Sequence, residues 1–157
     1  LVLPEQRRDG GAVNRLERKK GDPMGKEIVS RMELLLPRRR EEIWERMTDL
    51  DRWQWRRDLE GLERTGPETF VDYGKGGFAT YFSVTDRQEP ALWAFDVENE
   101  NLTGRWTGEL RQEGEQTRLI FTERVTMKRW VPALLVRGYL RRQQRRYGED
   151  LRRVLGI

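Results

Sequence analysis

The stretch that most constrains this chain runs from Gly104 to Ile157, where a two-strand pattern, GRWTGELRQEGEQTRLIFTERVTM, leads into one long Arg-studded helix. Period-two alternation puts Trp106, Gly108 and Leu110 on one side of the first strand, against Arg105, Thr107 and Glu109. In the second strand Leu119, Phe121 and Glu123 oppose Arg118, Ile120 and Thr122. The helix is predicted from about Val131 to Leu155, with Pro132 in its first turn, where a missing N–H costs little. Val136, Leu140, Gln143, Tyr147, Leu151 and Val154 step by three or four into one packed stripe. Arg137, Arg141, Arg142, Arg145, Arg146, Arg152 and Arg153 take the other side. A hairpin and a helix that each bury one face can confront each other across a cavity, and such a cavity suits a small apolar ligand.

Upstream, EIVSRMELLLP alternates from Glu27, with Ile28, Ser30, Met32 and Leu34 on one side, and reads as a half-buried strand ended by Pro37. The period then changes. RRREEIWERMTDL sets Ile43, Met47 and Leu50 on one helical face, and Asp51 fits the N-cap of a short second helix carrying Trp53 and Trp55. After Gly61 six strand-like segments follow, making seven strands with the first: LERTG, ETFVDY, FATYFSVTDRQ, ALWAFDVEN, GRWTGELRQ and QTRLIFTERVTM. Their links are short and rich in Gly, Pro and Asn, as between antiparallel neighbours, so a meander is the simplest topology. The prediction is an α+β domain with a seven-stranded antiparallel sheet, two short helices after strand one and a long closing helix.

At 157 residues the chain suits one domain, able to bury roughly 68% of the surface its unfolded form exposes. Cysteine and histidine are both absent. That excludes disulfides, Ser-His and Cys-His catalysis, and zinc or iron held by sulfur or imidazole; no metal and no cofactor is expected. No apolar run approaches the roughly 20 residues that span a bilayer, and no secretory signal pattern opens the chain, so the expected location is cytoplasmic.

Residues 1–23 show no apolar period and mix charge with Gly and Pro. Codons for Lys20-Gly21-Asp22-Pro23 can spell a purine-rich AAGGAGA just ahead of Met24. Met24 then reads as a bacterial initiator and residues 1–23 as a translated leader; the alternative is an ordinary disordered tail. The ligand-binding domain is residues 24–157.

Pro37 followed by EEIWERMTDLDRW and Trp55, the GRWTGEL strand and QTRLIFTE resemble the START-like (SRPBCC) superfamily, in particular its bacterial polyketide cyclase/dehydrase and lipid-transport branch. The resemblance covers about Glu27 to Leu155. It implies a helix-grip fold, in which a curved sheet grips the C-terminal helix around an apolar pocket. The chain lacks the histidine ligands of the superfamily's ring-hydroxylating members, which excludes oxygenase chemistry. The plant-allergen relatives carry a Gly-rich loop between strands two and three. Here Gly74-Lys75-Gly76-Gly77 lies between strands three and four, and that loop's role does not carry over.

Within this frame the expected pocket lining is Trp55, Phe82, Trp93, Phe95, Trp106 and Phe121, joined by Glu123, Tyr139 and Gln143. Plain core is the competing reading for each aromatic. Glu123 is the most pointed residue, because a carboxylate beside Leu119, Phe121 and Val125 must be paired, protonated or used. Either it is a general base or ligand anchor, or it pairs with a neighbouring Arg at the sheet's edge. Asp72 and Asp96 raise weaker forms of the same question.

Residues 128–157 hold nine Lys/Arg against two Asp/Glu, while residues 24–127 hold sixteen against twenty-one. The Arg face is read as a solvated surface pairing with the acidic body, and nucleic acid is not expected as a partner, since no groove-reading motif accompanies it. The apolar start of the helix, Trp130, Leu134 and Leu135, is the better interaction surface, as pocket lip, homodimer contact or membrane-touching edge. The leading functional expectation is binding of a small hydrophobic, lipid-like or polycyclic molecule by a monomer or homodimer. The alternatives are a cofactor-free cyclase or dehydratase using Glu123, and an interaction module built on that helix start.

Overall fold

The structure, a computed structural model, describes residues 25–157. The reading of residues 1–23 as leader or tail lies outside the described residues. Strand β1 (Ile28–Leu36) is followed by helix α1 (Arg40–Thr48), a single 3-10 turn (Leu50–Arg52), and strands β2 (Gly61–Arg64), β3 (Thr69–Gly74), β4 (Phe78–Gln88), β5 (Leu92–Glu98), β6 (Leu102–Glu113) and β7 (Gln116–Met127). Helix α2 (Ala133–Leu155) closes the chain. The strands form one antiparallel sheet in the order β1-β7-β6-β5-β4-β3-β2. The meander therefore holds from β2 to β7, and β1 returns to pair with the last strand, which is what carries the chain's start beneath α2.

Two local expectations are corrected. The second short helix is only one 3-10 turn, and its cap is Asp49, whose carboxylate accepts from the Asp51 N–H at 3.2 Å. Trp53 ends that turn and Trp55 lies beyond it, because RRD continues as irregular backbone. In α2 Pro132 stands at the N-cap rather than within the first turn, and Gly156 closes the helix in the left-handed conformation at φ 74°.

The core is asymmetric. Leu36, Ile43, Trp44, Leu110, Leu119 and Leu151 are fully buried where α1 and the C-terminal half of α2 cover one end of the sheet. Gly148 makes that closeness possible: a Cβ there would sit 2.8 Å from Leu34 Cδ1. Towards the other end a smaller cluster, Ile28, Leu102, Val125, Val136 and Leu140, anchors the start of α2. Asp150 is fully buried yet well served, accepting from the Arg57 N–H at 2.9 Å, Arg57 Nε at 2.6 Å and an Arg153 guanidinium N–H at 3.0 Å. Burial opposes its ionisation, but those donors outweigh it and hold the carboxyl below its ordinary value. This cluster ties α2 to the loop after the 3-10 turn.

Candidate functional site

Between the concave sheet face and α2 lies a cavity of about 440 Å³. Its walls follow from strand pairing. Ser30, Glu123, Trp106 and Phe95 lie opposite one another in register, making a row across β1, β7, β6 and β5. Phe95 and Trp106 stack at 4.8 Å, and Phe70 stacks on Phe82 at 4.6 Å. Tyr147, from α2, meets Phe121 edge-on at 5.1 Å and Trp55 at 5.3 Å. Trp106 lies flat because its inward neighbour is Gly108, where a Cβ would come within 2.5 Å of the indole ring.

All nine residues expected from the sequence border this cavity. Trp93, Phe95, Trp106 and Phe121 are buried in its floor, and Trp55 and Phe82 form partly buried sides. Tyr139 and Gln143 belong to the mouth instead: Tyr139 is 55% exposed, and Gln143 Nε2 donates to its hydroxyl at 3.1 Å. The glutamine inside the packed stripe of α2 is Gln144, one residue on. The Ser30 hydroxyl donates to its Oε1 at 2.8 Å, and its Nε2 donates to the Ser30 carbonyl at 3.0 Å.

That closed Ser30–Gln144 pair leaves Glu123 alone. Among the described residues the Glu123 carboxylate makes no hydrogen bond and no ion pair, so the expected edge contact with an arginine is not found. Its carboxyl faces the cavity while protein surrounds it. Burial pushes its pKa up to about 7, with Arg56 acting weakly in the other direction. Asp96 resolves differently, as an exposed residue paired with Arg105 at 2.9 Å.

The sequence did not single out the second polar group of the cavity. Arg56 binds Asp58 through two bonds of 3.2 and 2.6 Å, lies 3.7 Å from the Asp72 carboxylate, and places its guanidinium 5.2 Å from the Tyr147 ring centre. Burial opposes its charge, but Asp58 and Asp72 more than offset this and hold its pKa above the ordinary value. Asp72 is pushed up to about 6 by burial, against the pull of Arg56 and with the help of Asp58. Burial likewise raises the Tyr147 phenol. The one signal for this cluster was the inward phase of Asp72 on β3.

The Arg face of α2 also differs from expectation. Arg137, Arg141, Arg142, Arg145 and Arg146 form no ion pair with any described residue, so they do not pair with the acidic body. Arg146 borders the cavity mouth. Trp130, Leu134 and Leu135 stand exposed at the start of the helix, while Val131 packs inward.

No family model matches this chain, and no curated protein matches it in sequence. Solved structures match in shape. A conserved protein from Geobacillus kaustophilus aligns at TM-score 0.74 and 14% identity, covering 82% of this chain and 95% of its own. A START superfamily protein from Mycobacterium smegmatis aligns at TM-score 0.72 and 14% identity, covering 78% of this chain and 93% of that one. The fold is START-like. The allergen Ara h 8.0201 shares it at TM-score 0.66 and 11% identity, with 84% of this chain and all of that chain covered. The START-like helix grip accounts for the curved seven-stranded sheet and the long final helix. No helix among the described residues is long and apolar enough to cross a membrane.

Proposed function

We propose that the protein binds a small hydrophobic molecule, lipid-like or polycyclic, in the cavity between sheet and α2. The observation that carries this reading is the cavity itself. At about 440 Å³ it falls in the range of roughly 300–1,000 Å³ usual for ligand pockets, with aromatic walls beside polar groups that include Glu123, Arg56 and Asp72. START-like folds commonly hold hydrophobic ligands, which supports the same reading. Glu123, lacking an internal partner, takes a hydrogen-bond donor on the ligand's polar end, and Tyr139 with Gln143 borders the entrance. Native mass spectrometry of the purified protein is expected to show an apolar guest that denaturation releases. A protein that arrives empty and takes up no fatty acid or polycyclic compound on incubation overturns the proposal.

A second reading rests on Glu123 alone: an enzyme of the cyclase or dehydratase kind, as in the polyketide cyclase/dehydrase branch. A carboxyl with a pKa near 7, inside a cavity and free of an ion pair, is matched to moving a proton at neutral pH. Glu123→Gln keeps the shape and removes that proton. Turnover of a polyketide-type substrate is expected to vanish in this variant while apolar binding persists; equal turnover in both proteins removes Glu123 from the chemistry, and no turnover by the wild type defeats the enzyme reading and leaves the binding one standing.

A further inference from the structure

We propose that the start of α2 docks on an anionic phospholipid bilayer, with Trp130, Leu134 and Leu135 entering the headgroup boundary and the arginines that follow meeting lipid phosphates. Trp130 is 87% exposed, Leu134 78% and Leu135 66%, the most exposed large apolar side chains among the described residues. They adjoin one another in the chain and point away from the sheet, since Val136 takes the inward side of that turn. An apolar tip of this kind marks a surface that something covers.

Charge identifies the cover. No Asp or Glu occurs between Lys128 and Glu149, a span that holds Arg129, Arg137, Arg141, Arg142, Arg145 and Arg146. None of these six makes an ion pair with a described residue, whereas Arg105, Arg111, Arg118 and Arg124 of the neighbouring hairpin are all paired. An apolar tip rimmed by unpaired arginines complements an anionic membrane surface, which takes the rings and methyls at its boundary and the guanidiniums at its phosphates. A nucleic acid would use the arginines and leave the apolar tip in water. A second copy meeting this face symmetrically would bring like charges together.

The docked face adjoins the cavity mouth. Tyr139 lies one turn beyond Leu135, and Tyr139, Gln143 and Arg146 border the cavity. Docking there brings the opening to the lipid surface, which is where a water-insoluble guest resides. The docking inference stands on its own surface residues and survives or fails independently of what fills the cavity.

The test is co-sedimentation of the full chain with vesicles of phosphatidylcholine alone or mixed with phosphatidylglycerol. The protein is expected to sediment with the mixed vesicles only, less so as salt is added. Trp130→Asp combined with Leu134→Asp is expected to abolish sedimentation. Arg141→Gln, Arg142→Gln and Arg145→Gln together are expected to weaken partitioning by about fivefold for each charge removed. All five side chains are exposed, so unchanged thermal melts confirm that the variants fold. The proposal is overturned by absence of vesicle binding or by equal binding of the apolar double variant. It is also overturned by a preference for an oligonucleotide over vesicles, or by a dimer that Trp130→Asp dissolves.

Discussion

The two halves of α2 do different work on one continuous helix. Its C-terminal half lies hard against β1, with Gly148 admitting the Leu34 methyl, Leu151 fully buried and Asp150 locked to Arg57 and Arg153. Its N-terminal half touches the sheet through Val136 and Leu140 and elsewhere stands clear of it, with Tyr139 more than half exposed over the cavity mouth. Close packing is therefore confined to one half of the helix. One end closes the domain with a dry core. The other carries an opening, an apolar tip and a row of arginines that pair with no described residue.

Substitutions at matched positions test that division. Leu151→Ala, in the closed half, is expected to lower stability by about 3 kcal/mol, as for a leucine removed from a site that cannot collapse, and denaturant melts measure it. Glu123→Gln is expected to act in the opposite direction and only at higher pH. Its folded-state pKa of about 7 lies above the ordinary 4.5, so below pH 4.5 both states are protonated and the fold bears no cost. As pH rises from 4.5 towards 7 the unfolded chain ionises freely while the folded site keeps its proton, and the loss is complete above 7. The wild type therefore loses up to about 3 kcal/mol that the variant keeps. A pH series of melts in which the two curves stay parallel contradicts the half-buried placement of Glu123, without an ion pair to a described residue.

Asp150→Ala is expected to cost about 2 kcal/mol, because it strips a buried acceptor from the Arg57 N–H and two guanidiniums. Here too the cost falls on the closed half. Leu135→Ala, in the open half, is expected to change stability by less than about 0.5 kcal/mol. A cost for Leu135→Ala comparable with that of Leu151→Ala would erase the distinction between the halves.

Much of this was legible in the sequence, because successive side chains of a strand point to opposite faces and the one register shift, between Val84 and Asp86, lies beyond Phe82. Phe82, Trp93, Phe95, Trp106, Phe121 and Glu123 all border the cavity for that reason. The helix was phased one residue off at its middle. Gly148 carries no side chain and left no apolar mark, so the stripe drifted to Gln143 and Tyr147 when the buried row runs Leu140, Gln144, Gly148, Leu151 and Leu155. The mistaken cap has a similar origin, since Asp49 and Asp51 both satisfy the same local rule and only the backbone chooses between them. Asp150 and Arg56 were illegible for another reason. Their burial depends on partners remote in sequence, such as Arg57 for Asp150, 93 residues away, and no local period encodes such a meeting.

Whether the open half of the grip holds an apolar guest is decided by a titration with the neutral dye Nile red. Val97, on the cavity wall, is enlarged in Val97→Phe, while Trp130→Asp alters only the exposed tip. Saturable binding at one site per chain with blue-shifted emission is expected, weakened about tenfold or more by Val97→Phe and unaffected by Trp130→Asp. Dye binding that Val97→Phe leaves intact and Trp130→Asp removes would place the apolar site on the surface and contradict that expectation.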